Sequence, residues 1–244
     1  MSTTTGGLNA KRHPGKPMKQ PLYRFDTIPR CKKDLQGSTI YEVTNREDFV
    51  DSMAEMVYIC KEAMRRANKP LNGKRTSKPL SLEYIADRLD IDDPLRGFFV
   101  RDNDSSRLQG YITLTTFTNW QKSFRWDSIN ESGFCWDDAE LVEQTLNGMR
   151  KCDGGTLSAE LQQTVRCGDV YNEGIIWPRI AEISLLGGLG CGKTLLSYTL
   201  DRLETMKPGA DYNYDYVVLQ ATENSIPFYE SMGFKRVGAL TIDE

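Results

Sequence analysis

The sequence predicts an α+β (α/β) fold built on a mixed central β-sheet flanked by helices. One short strand, two amphipathic helices and a strand hairpin give the first half an antiparallel character. The last quarter alternates strand, helix, strand, helix, strand, which requires crossovers and hence parallel pairing. At 244 residues the chain suits one main domain with a large insertion better than two equal domains.

The elements follow in order. Residues 1–36 read as a flexible basic tail, because Lys11, Arg12, Lys16, Lys19, Arg24, Arg30, Lys32 and Lys33 are interrupted by Pro14, Pro17, Pro21 and Pro29. Thr39–Val43 is a short strand, and Asn45 caps the helix that follows. Phe49, Met53, Met56, Val57, Cys60 and Met64 recur at three and four, the stripe of an amphipathic helix running to Ala67. After a polar loop at Asn68–Pro79, Ser81 opens a shorter helix with Leu82, Ile85, Ala86 and Leu89 on one side. Leu95–Arg101 and Leu108–Thr118 form a hairpin across Asp102–Arg107. Asn119–Pro178 is unlike its surroundings and reads as an insertion with helices at Asp137–Met149 and Leu157–Cys167. Strand Ile180–Leu186, a glycine loop, helix Lys193–Thr205, strand Tyr214–Ala221, helix Asn224–Met232 and strand Phe234–Leu240 complete a domain at about 37–244.

Composition removes several functions. A net charge of -3 exerts no global pull on nucleic acid, and no direct nucleic-acid binding is expected. No apolar run resembles a signal peptide or is long enough to cross a bilayer, which predicts an intracellular protein, cytoplasmic or nuclear, without a membrane partner. Cys31, Cys60, Cys135, Cys152, Cys167 and Cys191 show no CxxC spacing and read as free thiols. The single histidine, His13, lies in the tail. That excludes His-based metal sites and Ser/His or Cys/His catalysis, and no metal is expected.

Gly187-Gly188-Leu189-Gly190-Cys191-Gly192-Lys193-Thr194 fits G-x-x-x-x-G-K-[ST] and stands between a strand and a helix, as a phosphate-cradling loop must. The underlying physics is generic: glycines let N–H groups converge, and a helix N-terminus adds partial positive charge, so many phosphates can be held there. A nucleotide triphosphatase also needs an acidic residue closing a second apolar strand. Here Tyr216-Val217-Val218-Leu219 ends in Gln220-Ala221-Thr222.

The loop resembles the cofactor loop [QR]-x-x-G-x-[GA] of the GNAT superfamily of N-acetyltransferases, matching at Gly190 and Gly192 and in the apolar Leu195-Leu196 that follow. Gly187 departs from it, and the strand before the loop reads as about six residues short. Asn224-Ser225-Ile226-Pro227-Phe228-Tyr229-Glu230-Ser231-Met232-Gly233-Phe234 resembles the family's A-x-x-x-Y-E-x-x-G-F segment, with Ser225 at the usual Ala and Thr222 at the usual Asn. Phe228 and Met232 share a helix face there and Gly233 ends the helix. The order of elements at 39–118 and 177–240 also follows the family, whereas the chain stops soon after Gly238, where the family adds a strand, as a fragment would.

The resemblance implies a GNAT-like acyl-CoA N-acyltransferase fold, with acetyl-CoA as acyl donor and a primary amine as acceptor, either a protein lysine or a small amine. Its implied contacts to the cofactor are Leu185, Leu186, Gly188, Leu189, Gly190, Cys191, Gly192, Lys193, Thr194 and Asn224. Backbone N–H groups near Leu185 and Leu186 would meet the oxyanion. Ala181-Glu182-Ile183 is similar to a run in the histone-acetyltransferase branch, which makes Glu182 the candidate general base. Its strand neighbours Ile180 and Leu186 share its face by period two, so the carboxylate is expected partly desolvated, which raises proton affinity. Tyr229 is the candidate general acid, since a phenol near the sulfur can protonate a leaving thiolate. Asp127, Glu131, Asp137, Asp138, Glu140 and Glu143 stand without a basic neighbour and would attract a cationic acceptor, with Trp120, Trp126, Trp136 and Trp177 packing the insertion or lining an acceptor channel. A P-loop nucleotide-binding protein and a non-catalytic acyl-CoA-binding module are the alternatives.

Overall fold

The computed structural model describes residue 35 and residues 37–67, 80–91, 95–122, 124–127, 155–205, 213–222 and 225–241. The basic tail, the 68–79 loop, the acidic helix at 137–149 and Asn224 lie outside the described residues. The mixed central sheet flanked by helices is present as predicted. Its five strands lie in the order β1-β2-β3-β5-β6, from β1 (Ser38–Val43), β2 (Arg96–Asp102), β3 (Leu108–Asn119), β5 (Ile175–Gly188) and β6 (Tyr216–Leu219). The first four pair antiparallel and the last pair, β5 with β6, is parallel. A second, two-stranded antiparallel sheet joins β4 (Phe124–Asp127) to β7 (Gly238–Thr241).

Alternation along the strands separates two faces. Phe99 and Tyr111 point into a core with Phe49, Met56, Ile59, Ile85 and Leu89, whereas Phe98, Val100 and Ile112 point into one with Leu195, Leu196, Leu200 and Met232. The first face is covered by α1 (Arg46–Asp51), α2 (Met53–Ala67) and α3 (Leu82–Leu89), the second by α5 (Gly192–Glu204) and α6 (Ile226–Ser231). Asn45 and Ser81 cap α1 and α3 as predicted, accepting from the N–H groups of Glu47 and Tyr84. The single long helix expected from Asn45 to Ala67 is broken at Ser52, where ψ reaches 0°. Its hydroxyl accepts from Arg101 at 2.9 Å, and Glu55 of the next turn accepts from Arg101 and from the Leu108 N–H, which ties α2 to the β2–β3 hairpin.

Strand β5 is twice as long as the predicted Ile180–Leu186. Pro178 hid its first half: Thr116 pairs with Ala181 and Phe117 with Trp177, so Pro178, Arg179 and Ile180 bulge out of the β3 ladder where a missing N–H costs nothing. The strand before the glycine loop is therefore not short.

The stretch read as an insertion is joined to the body of the protein. Its β4 pairs with β7 instead of the C-terminal strand pairing in the main sheet, and α4 (Thr156–Gln162), shorter than the predicted Leu157–Cys167, lies against it, with Gln162 accepting from the Trp126 N–H. Phe117, Trp126, Trp177, Leu161 and Ile180 form a third core. Trp126 and Trp177 thus pack the segment down. Trp120 is exposed and Trp136 lies outside the described residues. Among the described residues no helix is long and apolar enough to cross a membrane.

Candidate functional site

The site forms where β5 and β6 part. Parallel pairing runs through four rungs, from Ile180–Tyr216 to Ile183–Leu219, and stops. Strand β6 ends at Leu219 while β5 continues to Gly188, still paired with β3. Thr113 pairs with Leu185 and Leu114 with Ile183, so Ser184 is an extra residue, a β-bulge placed at the rung where β6 leaves.

The bulge resets the alternation. Leu185 joins the core on the α2–α3 face and Leu186 packs on the α5 side, so Leu186 does not share the face of Glu182 as a strict period of two predicted. It also sorts the backbone donors. The Leu185 N–H donates to Thr113 Oγ1 at 2.9 Å and the Leu189 N–H to the Gln109 carbonyl at 2.8 Å, so both point at β3. These two expected cofactor contacts have their N–H groups committed within the fold. By alternation, the N–H groups of Leu186 and Gly188 point the other way, to the edge that β6 has left open.

Beyond this edge the chain turns into α5. Gly190 has φ +99°, a conformation side chains other than glycine rarely adopt, and a Cβ there would touch nothing, so its glycine serves the backbone turn. Gly188 is closely packed, since a Cβ would come 3.0 Å from the Gly192 nitrogen. The helix begins at Gly192 with no acid in its first turn, and Cys191, its N-cap, makes no side-chain capping bond. Such a start presents N–H groups and partial positive charge, with the exposed Lys193 and half-buried Thr194 beside them. These features fit a phosphate group. The Cys191 thiol is buried, at 3.4 Å from the Gln109 carbonyl and where a Cβ on Gly110 would be, which makes it a packing residue.

Gly187 has a different explanation. A Cβ at this position would stand 2.6 Å from the ring of Tyr111, which is fully buried with its hydroxyl 2.9 Å from Cys60 Sγ. The Tyr111 ring occupies the space in which any side chain at this position would begin.

The structure brings the Tyr229 segment to the loop. Phe228 lies 3.8 Å from where a Cβ on Gly192 would be, and Phe228, Tyr229 and Met232 pack in the core under α5. Gly233, at φ +89°, ends α6 as predicted. Tyr229 is held edge-on between Phe228 and Phe234, and burial pushes its phenol up to about 12. It is therefore neutral, a proton donor, at ordinary pH.

Glu182 is 7% exposed, on the last but one paired rung opposite Val218. Sequence reasoning missed its partner: Arg88 of α3 places Nη1 3.6 Å from Glu182 Oε1 and donates from Nη2 to Gln220 Oε1 at 3.3 Å. The buried carboxylate has a compensating cation rather than an apolar setting alone. Arg88 carries no signal in the sequence, being one more charge on an amphipathic helix. Thr113, whose hydroxyl anchors the bulge, was equally silent.

No protein-family model matches the chain, and no curated protein matches it. Solved structures similar to it include an acetyltransferase from Trypanosoma brucei, at 13% identity and TM-score 0.36, covering 82% of this chain and 93% of that one. An aminoglycoside acetyltransferase from an uncultured soil metagenomic sample, in complex with sisomicin, matches at 12% identity and TM-score 0.35, covering 81% and 88%. A mutant Bacillus halodurans protein matches at 10% identity and TM-score 0.37, covering 81% and 93%. Likeness at this level carries no argument about activity.

Proposed function

We propose that the chain is an acetyl-CoA-dependent N-acetyltransferase that moves an acetyl group to a primary amine by direct attack while donor and acceptor are both bound. The observation that carries this is the fork: β5 bulges at Ser184 where β6 leaves it, exposes the Leu186 and Gly188 N–H edge, and runs straight into the glycine loop and α5. An extended amide-bearing chain could add to that edge as a strand would, with its phosphate end at the helix start. A triphosphate needs no such edge.

Bound acetyl-CoA supplies an acetyl group activated as a thioester. The α5 start at Gly190–Thr194 binds the pyrophosphate, and the Leu186 N–H orients the carbonyl and stabilises the charge that develops on its oxygen. Glu182 takes the proton that the amine nitrogen releases, directly or through a water. As the C–N bond forms, the C–S bond breaks and the Tyr229 hydroxyl gives its proton to the thiolate, to be restored from solvent. Removing that proton source by Tyr229→Phe is expected to lower kcat about 10²-fold with the fold intact.

The test is direct. The full chain is incubated with acetyl-CoA and a panel of amines comprising a lysine peptide with blocked termini, spermidine and phenethylamine, and mass spectrometry follows the acetylated amine together with free CoA. Equal amounts of both products support the reading. Binding of acetyl-CoA without any acetylated amine would overturn catalysis and leave a binding module.

A further inference from the structure

Arg88 touches both arms of the fork. It stands in the last turn of α3, reaches Glu182 Oε1 on β5 at 3.6 Å with Nη1, and donates at 3.3 Å from Nη2 to Gln220, the first residue beyond the end of β6. Its guanidinium carbon lies 5.4 Å from the centroid of the Tyr84 ring, one turn earlier on the same helix. A planar group with five donors can face a carboxylate on one strand and an amide just past the end of another while resting on an aromatic face, which a lysine ammonium cannot do in one fixed geometry.

The placement matters because Glu182–Val218 and Ile183–Leu219 are the last rungs before the strands separate. A carboxylate only 7% exposed on a strand must be aimed as well as compensated. Arg88 comes from a helix outside the sheet and is itself partly exposed, with 30% of its side chain accessible against 10% for Glu182. It is thus free to set the carboxylate's orientation from the solvent side without blocking the opposite face of β5.

We infer that Arg88 is a positioning residue for acyl transfer, aiming the Glu182 carboxylate at the acceptor from across the mouth of the fork. This rests on the transferase reading of the same site. If Arg88 acts through Glu182, losing it is harmless once Glu182 can no longer take a proton.

A double-variant cycle reads this out in the full chain, with kcat and the KM for acetyl-CoA measured for the parent, Arg88→Gln, Glu182→Gln and the double variant. The amine is the best acceptor of the panel above, and melting temperatures are taken alongside. Arg88→Gln is expected to lower kcat about 10-fold or more, with the KM for acetyl-CoA within about twofold, and to add no further loss in the Glu182→Gln background. Arg88→Lys, which keeps the charge and loses the planar donor geometry, is expected to stay near the Gln level and carries the test should Arg88→Gln fail to fold. Losses that multiply in the double variant, or a change in KM alone, would overturn the role of Arg88 while leaving acetyl transfer standing. A parent that acetylates no amine would overturn the transferase reading, and the positioning role with it.

Discussion

Substituting Gly187 by Ala tests the most specific structural claim about the loop, that this glycine serves packing and not phosphate. The added Cβ would lie 2.6 Å from Tyr111 Cε1, 2.8 Å from Cζ and 2.9 Å from the hydroxyl oxygen. Tyr111 has no room to yield, since it is fully buried among Phe49, Phe99 and Leu185 and its hydroxyl meets Cys60 Sγ at 2.9 Å. Overpacking of this kind costs about 1–3 kcal/mol. At roughly 2–4 °C per kcal/mol for a chain of this length, a mid-range cost of about 2 kcal/mol lowers the melting temperature by about 6 °C. Scanning calorimetry of the parent, Gly187→Ala, Tyr111→Leu and the double variant reads the effect. Removing the ring should remove most of the penalty, so the double variant is expected to cost less than the sum of the singles. Gly192→Ala serves as a control, because its Cβ would meet Phe228 at an ordinary 3.8 Å. A Gly187→Ala protein that melts within about 1 °C of the parent would refute the packing account.

Two further predictions concern the site's supports. Thr113→Val leaves the buried Leu185 N–H without an acceptor at the bulge and is expected to cost about 1–3 kcal/mol in urea denaturation, against none if the bulge is held by its ladder alone. Burial pushes the Tyr229 phenol from its ordinary 10.0 up to about 12, and burial with a hydrogen bond to Glu160 does the same for Tyr216. Folded values above unfolded ones mean that this stability is complete below pH 10 and is lost as pH rises toward about 12. The urea midpoint should therefore fall across that window, less steeply in Tyr229→Phe, and an unchanged slope in the variant would contradict the burial of the phenol.

Local patterns carried most of the fold. Asn45, Ser81 and Gly233 ended helices where the sequence placed the ends, because a cap is a contact between near neighbours. What the sequence concealed depends on partners far along the chain. Pro178 looked like a strand boundary because nothing local reveals a bulge against β3. The extra residue at Ser184 was equally hidden, yet it decides which of Leu185 and Leu186 offers its N–H to the open edge. Strand β4 drew no prediction, being four residues whose partner lies at the far end of the chain. Glu182 stood out as a carboxylate inside an apolar strand and Tyr229 through the resemblance of its segment to a family motif, whereas Arg88 became visible only when α3 laid it across β5 and the end of β6.

Function at this site turns on the proposal that the fork and the glycine loop hold the pantetheine and pyrophosphate of CoA. Isothermal titration of the full chain with acetyl-CoA and, separately, with Mg-ATP tests it most directly. Saturable binding of one acetyl-CoA per chain and no heat from Mg-ATP are the expected results. Tight Mg-ATP binding without acetyl-CoA binding would contradict it.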